Sequence, residues 1–332
     1  MGSRHLRIAR ENFPTDEIRV LGHRDSNPIP EFSDGYMTTI EEAIQFAPEI
    51  AIIANPSILH IPIAQALAQT GTHLLMEKPL SDSLEGVQEL IDTCKEYKCI
   101  LLLGYNLRYL HSLQEFRELL HKGIIGEILS VRCEVGQYLP TWRPETDYRQ
   151  GVSARKELGG GVLLELSHEL DYLRWIFGDV DWVRATLTRQ SLLEINVEDS
   201  AHLTLGFLSR TSQGELIGTL SMDFIRHDQT RVCTAIGSKG SLKWDGMAGE
   251  VSVFQEGASS WTKLFTHSPL KNETYNAEWR EFKNCISTGA APSVTGQDGL
   301  RVLEIIESVR RSAGTGIQVN VSQLQQTNRT KI

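Results

Sequence analysis

Three short runs in the first third of the chain are apolar on both faces: Ile50-Ala51-Ile52-Ile53-Ala54, Leu74-Leu75-Met76 and Leu101-Leu102-Leu103. A strand with no polar face must be covered on both sides, and stretches of helical periodicity lie between these runs. They therefore read as a parallel sheet with helices packed above and below. Strands are assigned to 50–54, 72–76 and 99–103, and helices to 57–69 and 83–97. Upstream come a helix over 4–12, a strand over 17–22 and a helix over 38–46 that carries Thr39 and Glu42 at its start. The second apolar run stops at Glu77-Lys78-Pro79. Open α/β sheets bind ligands beyond the carboxyl ends of their strands, so this ending delivers an ammonium where a ligand is expected. Proline at 79 cannot continue the ladder and fixes the exit of the strand. Lys78 is the first candidate for chemistry.

After Gly104 the pattern changes. A helix over 113–121 leads to 127–137, which alternates like a strand with one buried face, and further strands are expected over 182–189, 200–207, 215–224, 231–237, 240–244 and 250–255. These describe a large open, mainly antiparallel sheet. Helices are expected over 162–177, 276–288 and 297–313. A chain of 332 residues suits two domains. The boundary is drawn between 1–107 and 108–332, with the closing helix 297–313 placed to pack back on the first domain. The net charge of −9 argues against nucleic acid or an anionic membrane as the main partner. No run approaches the ~20 apolar residues that span a bilayer, and the start has no apolar signal segment, so a cytoplasmic protein is expected. The five cysteines are scattered and odd in number, which suits reduced thiols. Cys94 and Cys99 have no Cys/His cluster near them to complete a tetrahedral site, and no metal is expected.

Several residues point to a polar small molecule. Asn106 and Arg108 follow the strand at 99–103, again at its carboxyl end. His168 and Asp171, three residues apart on one helix face after Gly159-Gly160-Gly161, suit an imidazole steadied by a carboxylate. The segment from Tyr138 through Trp142-Arg143, Tyr148-Arg149 and Arg155-Lys156 concentrates cations and aromatics in an acidic chain. Guanidinium groups grip phosphate or carboxylate, and Trp or Tyr stacks on a sugar or base. The segment is read as a substrate lid carrying Trp142, Arg143, Tyr148, Arg155 and Lys156, with surface salt bridging as the plainer alternative.

In chain order, Asn55-Pro56 with His60, Glu77-Lys78-Pro79, Gly104-Tyr105-Asn106-Leu107-Arg108-Tyr109, the run Gly159 to Asp171 and the closing Val294 to Leu300 with Ser312 to Gly316 resemble the motifs of the Gfo/Idh/MocA oxidoreductases. The resemblance implies a Rossmann domain that binds NAD or NADP and a C-terminal α/β domain whose sheet forms a homodimer or homotetramer interface. It implies hydride transfer at a carbinol or carbonyl carbon of a sugar derivative, with an anionic or nucleotide sugar suiting the basic lid. Lys78 matches the family's catalytic lysine and His168 the histidine of its second motif. The family usually has an aspartate four residues before that histidine; this chain has Leu164 there, and Glu165, one residue nearer, is the third acid/base candidate. On the cofactor side the resemblance points to Asn55, Pro56, His60, Glu77, Lys78 and Asn106, and on the substrate side to Arg108, His168 and Asp171.

A dinucleotide fold also uses a first strand, a G-x-G-x-x-G turn and a helix whose N-terminus faces the pyrophosphate. Here only the last glycine, Gly2, with Ser3 and the helix are found. The Rossmann sheet is thus expected to be N-terminally incomplete, and because the absent strand is central in the usual order, two neighbours should lose a ladder partner. A reading frame that begins upstream explains this; the alternative is a non-catalytic sugar-binding or regulatory homologue. At the end of strand 17–22, Arg24 after His23 suits the 2′-phosphate of NADP, and Asp25 the ribose of NAD.

Overall fold

The computed structural model describes residues 1–22 and 29–321, and His23 and Arg24 lie outside the described residues. The chain divides into two compact units, one built from residues 1–104 with 276–300 and the other from 105–275 with 301 onward.

In the first unit the apolar runs become strands as their pattern requires. Helix α1 (Gly2–Asn12) precedes strands β1 (Arg19–Leu21) and β2 (Gly35–Met37), helix α2 (Ile40–Phe46), strand β3 (Ile50–Ile53), helix α3 (His60–Ala68), strand β4 (His73–Glu77), helix α4 (Val87–Glu96) and strand β5 (Leu101–Gly104). Strands β3, β4 and β5 form a parallel ladder in that order. Leu74, Leu75, Met76, Leu102 and Leu103 are wholly buried in it, as strands covered on both faces must be. The outer edge of β5 is closed by residues 294–295, through a bridge from Leu102 to Thr295 and a bond from Leu103 N to Val294 O at 3.1 Å. β1 and β2 form a separate parallel pair. Among the described residues the parallel strands therefore make two ladders, β1–β2 and β3–β4–β5. Helix α2 starts on a capping box: Thr39 Oγ1 accepts from Glu42 N at 3.3 Å and the Glu42 carboxylate accepts from Thr39 N at 3.2 Å.

The second unit is built on a nine-stranded sheet. After helix α5 (His111–His121) come strand β6 (Ile128–Gly136), a string of 3₁₀ turns, helices α6 (Val162–Glu165) and α7 (His168–Phe177), and strands β7 (Val180–Thr188), β8 (Ser200–Thr211), β9 (Gly214–Asp223), β10 (Thr230–Gly237), β11 (Gly240–Asp245), β12 (Glu250–Gln255) and β13 (Thr262–Thr266). Helices α8 (Glu273–Thr288) and α9 (Gly296–Thr315) and strand β14 (Val319–Asn320) follow. The strand order is β13-β12-β11-β10-β6-β9-β8-β7-β14, antiparallel throughout except for the parallel pair β6–β9. On β6, Val131, Cys133 and Val135 are buried while Arg132 and Glu134 point outward, the alternation of a sheet with one covered face. Trp244 of β11 is fully buried on that covered side, its indole donating to Ser112 of α5 at 3.0 Å and its ring edge-on to Tyr172 of α7.

Some elements depart from expectation. The helix expected over 83–97 begins only at Val87, because Gly86 holds a left-handed turn (φ +69°) and a Cβ there would lie 2.8 Å from Ile61. The helix expected over 162–177 is two helices, broken where Leu166 leaves helical geometry at φ −102°, ψ 25°. β2, β13 and β14 were not expected: each is short, and β14 lies in what reads as a polar tail.

Candidate active site

In the first unit the register sets the site. Ile53 pairs with Met76, so Asn55 and Lys78, each two residues further on, leave adjacent strands at the same level. Lys78 is half-buried and Glu77 before it is buried. Glu77 Oε1 lies 2.7 Å from His5 Nε2, and Trp279 Nε1 donates to His5 Nδ1 at 3.1 Å. An indole N–H only donates, so Nδ1 accepts and the His5 proton sits on Nε2, directed at Glu77. Burial works to raise the Glu77 carboxyl, but the His5 hydrogen bond and the neighbouring positive charge of Lys78 hold its pKa below the ordinary value. Glu77, expected at the cofactor, is thus a buried partner of α1. His5 carries no sequence signal, since its partners lie far along the chain.

Asn55 is more telling. Both atoms of its side-chain amide, and the hydroxyl of Ser57 after it, are buried with no hydrogen-bond partner among the described residues. Native proteins seldom leave buried polar atoms unpaired, and a group of them at a strand's carboxyl end is shaped for a polar ligand. A dinucleotide fits such a donor and acceptor set. The loop is rigid: His60 is buried, with Nδ1 2.9 Å from Pro79 O and Nε2 2.9 Å from Asn55 O. Its ring lies between the ends of β3 and β4, and burial, the largest influence, lowers its pKa against the pull of those carbonyls, so the neutral ring donates to one of them at a time. His60 is therefore a brace on the backbone, while Ser57, missed in the sequence, joins Asn55. Pro56 provides the extended N-cap geometry of that turn (φ −57°, ψ 140°). Gly2 and Ser3 form the exposed first turn of α1, which has no side-chain cap. Gly104 faces β4 closely: a Cβ would meet Met76 O at 3.1 Å.

In the second unit His168 is the first residue of α7, half-buried, with the Tyr105 ring edge-on at 5.6 Å. Tyr105 is fully buried; burial first, and the Asp171 charge second, push its phenol well above the ordinary range. Its hydroxyl donates to Ser167 at 3.4 Å, so it is a neutral wall beside the imidazole. Asp171, expected beside His168 and at substrate, instead accepts a fork from Arg108, Nε to Oδ2 at 2.9 Å and Nη2 to Oδ1 at 2.5 Å, with both side chains buried. Arg108 and Asp171 form a buried, forked ion pair. Glu165 accepts from Ser153 Oγ at 2.7 Å. Asn106 donates to Thr274 Oγ1 at 3.0 Å.

The glycine run is explained by crowding. A Cβ on Gly160 would stand 2.2 Å from Val152 O, and Gly161, at φ +106°, approaches the Glu198 carboxyl. Glu198, which the sequence does not single out, accepts from Leu163 N at 3.2 Å, and burial raises its pKa above the ordinary carboxyl value. The segment expected to form a lid is a chain of 3₁₀ turns with Arg143 and Lys156 exposed and Trp142, Tyr148 and Arg155 half-buried. Trp142 stands edge-on to Phe224 at 5.2 Å, its buried indole N–H without a partner among the described residues. Tyr148 OH accepts from Glu194 N, Arg155 Nε donates to Arg149 O, and Lys156 N donates to Asn196.

Residues 1–105 match an oxidoreductase family profile described as an NAD-binding Rossmann fold, and residues 117–321 match the C-terminal alpha/beta domain of the same family. Among curated proteins, the chain is 24% identical to the myo-inositol 2-dehydrogenase of Thermotoga maritima over 80% of this chain and 77% of that protein. It is 24% identical to the scyllo-inositol 2-dehydrogenase (NADP(+)) IolW of Bacillus subtilis over 89% of this chain and 86% of that one. Among solved structures, levoglucosan dehydrogenase in complex with NADH superposes with a TM-score of 0.81 at 21% identity, covering 97% of this chain and 96% of that one. The WlbA dehydrogenase of Bordetella pertussis with NADH and UDP-GlcNAcA gives 0.77 at 20% identity, covering 96% and 94%. At such identities the structural likeness carries the fold.

Proposed function

The chain belongs to the Gfo/Idh/MocA oxidoreductases, NAD(P)-dependent enzymes acting on CH–OH groups, and from that premise we propose that it transfers a hydride to or from a sugar derivative, with an acidic or nucleotide sugar preferred. The observation that carries the reading is the Asn55 amide, level with Lys78 at the carboxyl edge of a parallel ladder, and the Ser57 hydroxyl after it, both unpartnered among the described residues. Asn55, Ser57 and the first turn of α1 at Gly2–Ser3 hold the dinucleotide in this reading. When bound, the nicotinamide takes up or returns the hydride. In the oxidative direction Lys78 receives the hydroxyl proton of the carbinol and steadies the developing oxyanion; in reduction it returns the proton. His168 is the second proton-handling group, held upright by the Tyr105 ring, with Glu165 and Glu198 as carboxyls of the same unit. Arg143, Arg155 and Lys156 favour an anionic substrate, and Trp142 and Tyr148 offer faces for its ring. The outward face of the nine-stranded sheet, which carries Arg132 and Glu134, is the proposed contact for a second copy in a homodimer or homotetramer.

Fluorescence titration with NADH and NADPH tests the reading. Saturable binding is expected, weakened about 5- to 30-fold by Asn55→Ala, the effect of about 1–2 kcal/mol in lost hydrogen bonds. No binding by a folded sample favours the non-catalytic sugar-binding reading.

A further inference from the structure

Within the second unit, three ligand atoms converge from three segments. His111 is the first residue of α5, His267 follows β13, and Glu273 is the first residue of α8. His267 Nε2 lies 2.9 Å and His111 Nδ1 3.4 Å from the same oxygen, Glu273 Oε1, and all three atoms fall within 4.8 Å of one another. The imidazole centroids are 4.7 Å apart. We propose that His111 Nδ1, His267 Nε2 and Glu273 Oε1 form a binding site for a divalent transition-metal ion of the zinc class.

The arrangement has the chemistry such an ion requires. Two imidazoles and one carboxylate are a donor set that zinc takes with three protein ligands and solvent in the remaining position. With metal–ligand bonds of 2.0–2.1 Å, tetrahedral ligand atoms stand about 3.4 Å apart; the two separations from Glu273 Oε1, 2.9 and 3.4 Å, lie within about half an ångström of that value. The ligands are also oriented from behind. Glu273 Oε2 accepts from Leu270 N at 2.7 Å, which turns Oε1 toward the histidines, and His267 N donates to Gly249 O at 2.9 Å. His111 is 55% exposed, so one side of the cluster is open to water. The alternative is a metal-free His–Glu–His hydrogen-bonded cluster. An ion bound here ties the 267–273 loop to the start of α5, beside the Asn106–Thr274 hydrogen bond.

Titrating the full chain with zinc or nickel chloride by calorimetry, and following the melting temperature alongside, tests the site. One equivalent is expected to bind with micromolar or tighter affinity and raise the melting temperature, with magnesium failing to compete because it prefers oxygen ligands. His111→Gln, at an exposed position that leaves the fold intact, and His267→Gln should each weaken binding at least tenfold. Absence of stoichiometric binding at tens of micromolar metal overturns the proposal. Binding unchanged in both variants also overturns it, by assigning the metal to thiols or other groups.

Discussion

Glu278 is fully buried, and neither carboxylate oxygen has a hydrogen-bond partner among the described residues. Burial first, then the charges of Glu77 and Glu281, raise its pKa well above the ordinary value. The sign of the consequence is fixed: below the unfolded-state pKa both states are protonated, and as pH rises the unfolded chain ionises before the folded one, so this residue costs stability from mildly acid pH upward. Glu278→Gln should therefore melt higher than the parent at neutral pH, by the equivalent of about 1–3 kcal/mol, with the gain vanishing near pH 4. A melting curve series from pH 4 to 8 checks it; a gain that is constant with pH contradicts the assignment. Residues of this kind mark the limit of sequence reading. Lys78 and Asn55 announce themselves by following apolar runs, but sequence reports that Arg108 and Asp171 are charged without reporting that they answer each other in the core. His5 and Ser57 were invisible for the same reason: what defines them is a partner, or the lack of one, brought by folding.

At the scale of elements, the parallel strands were legible because continuous apolar runs punctuated by Gly and Pro leave few alternatives, and the one-sided strands because they alternate. Breaks inside helices were not. The interruption between α6 and α7 has no Pro or Gly to mark it and exists to start α7 at His168. The glycines before it do carry a legible constraint. Gly160→Ala sets a Cβ against two main-chain carbonyls, of Val152 and Arg155, which cannot move without moving the lid. The variant should lose about 1–3 kcal/mol of stability. It should also raise KM for the sugar more than it lowers kcat, measured by steady-state kinetics and limited proteolysis of residues 140–158. An unchanged KM separates the lid from substrate binding.

For the whole molecule, two units of different sheet type divide the proposed work: a parallel ladder presents Lys78 and an amide unsatisfied among the described residues at its carboxyl edge, and the unit with the broad mixed sheet holds His168, on helix α7, and the basic segment proposed as a lid. Composition argues against nucleic acid as the main partner and spacing suggests no metal, whereas the three side chains of the proposed site, His111, His267 and Glu273, are separated by too much sequence for spacing to reveal them. The identity of the sugar lies in side-chain placement that no periodicity encodes. The central claim is that the Lys78 amine handles the proton of hydride transfer. The most direct test is Lys78→Met, compared with the parent for NADH affinity and for kcat on the sugar it oxidises best. Cofactor binding within a few-fold of the parent is expected, with kcat lower by at least about 100-fold. Undiminished turnover by a folded Lys78→Met enzyme would contradict it.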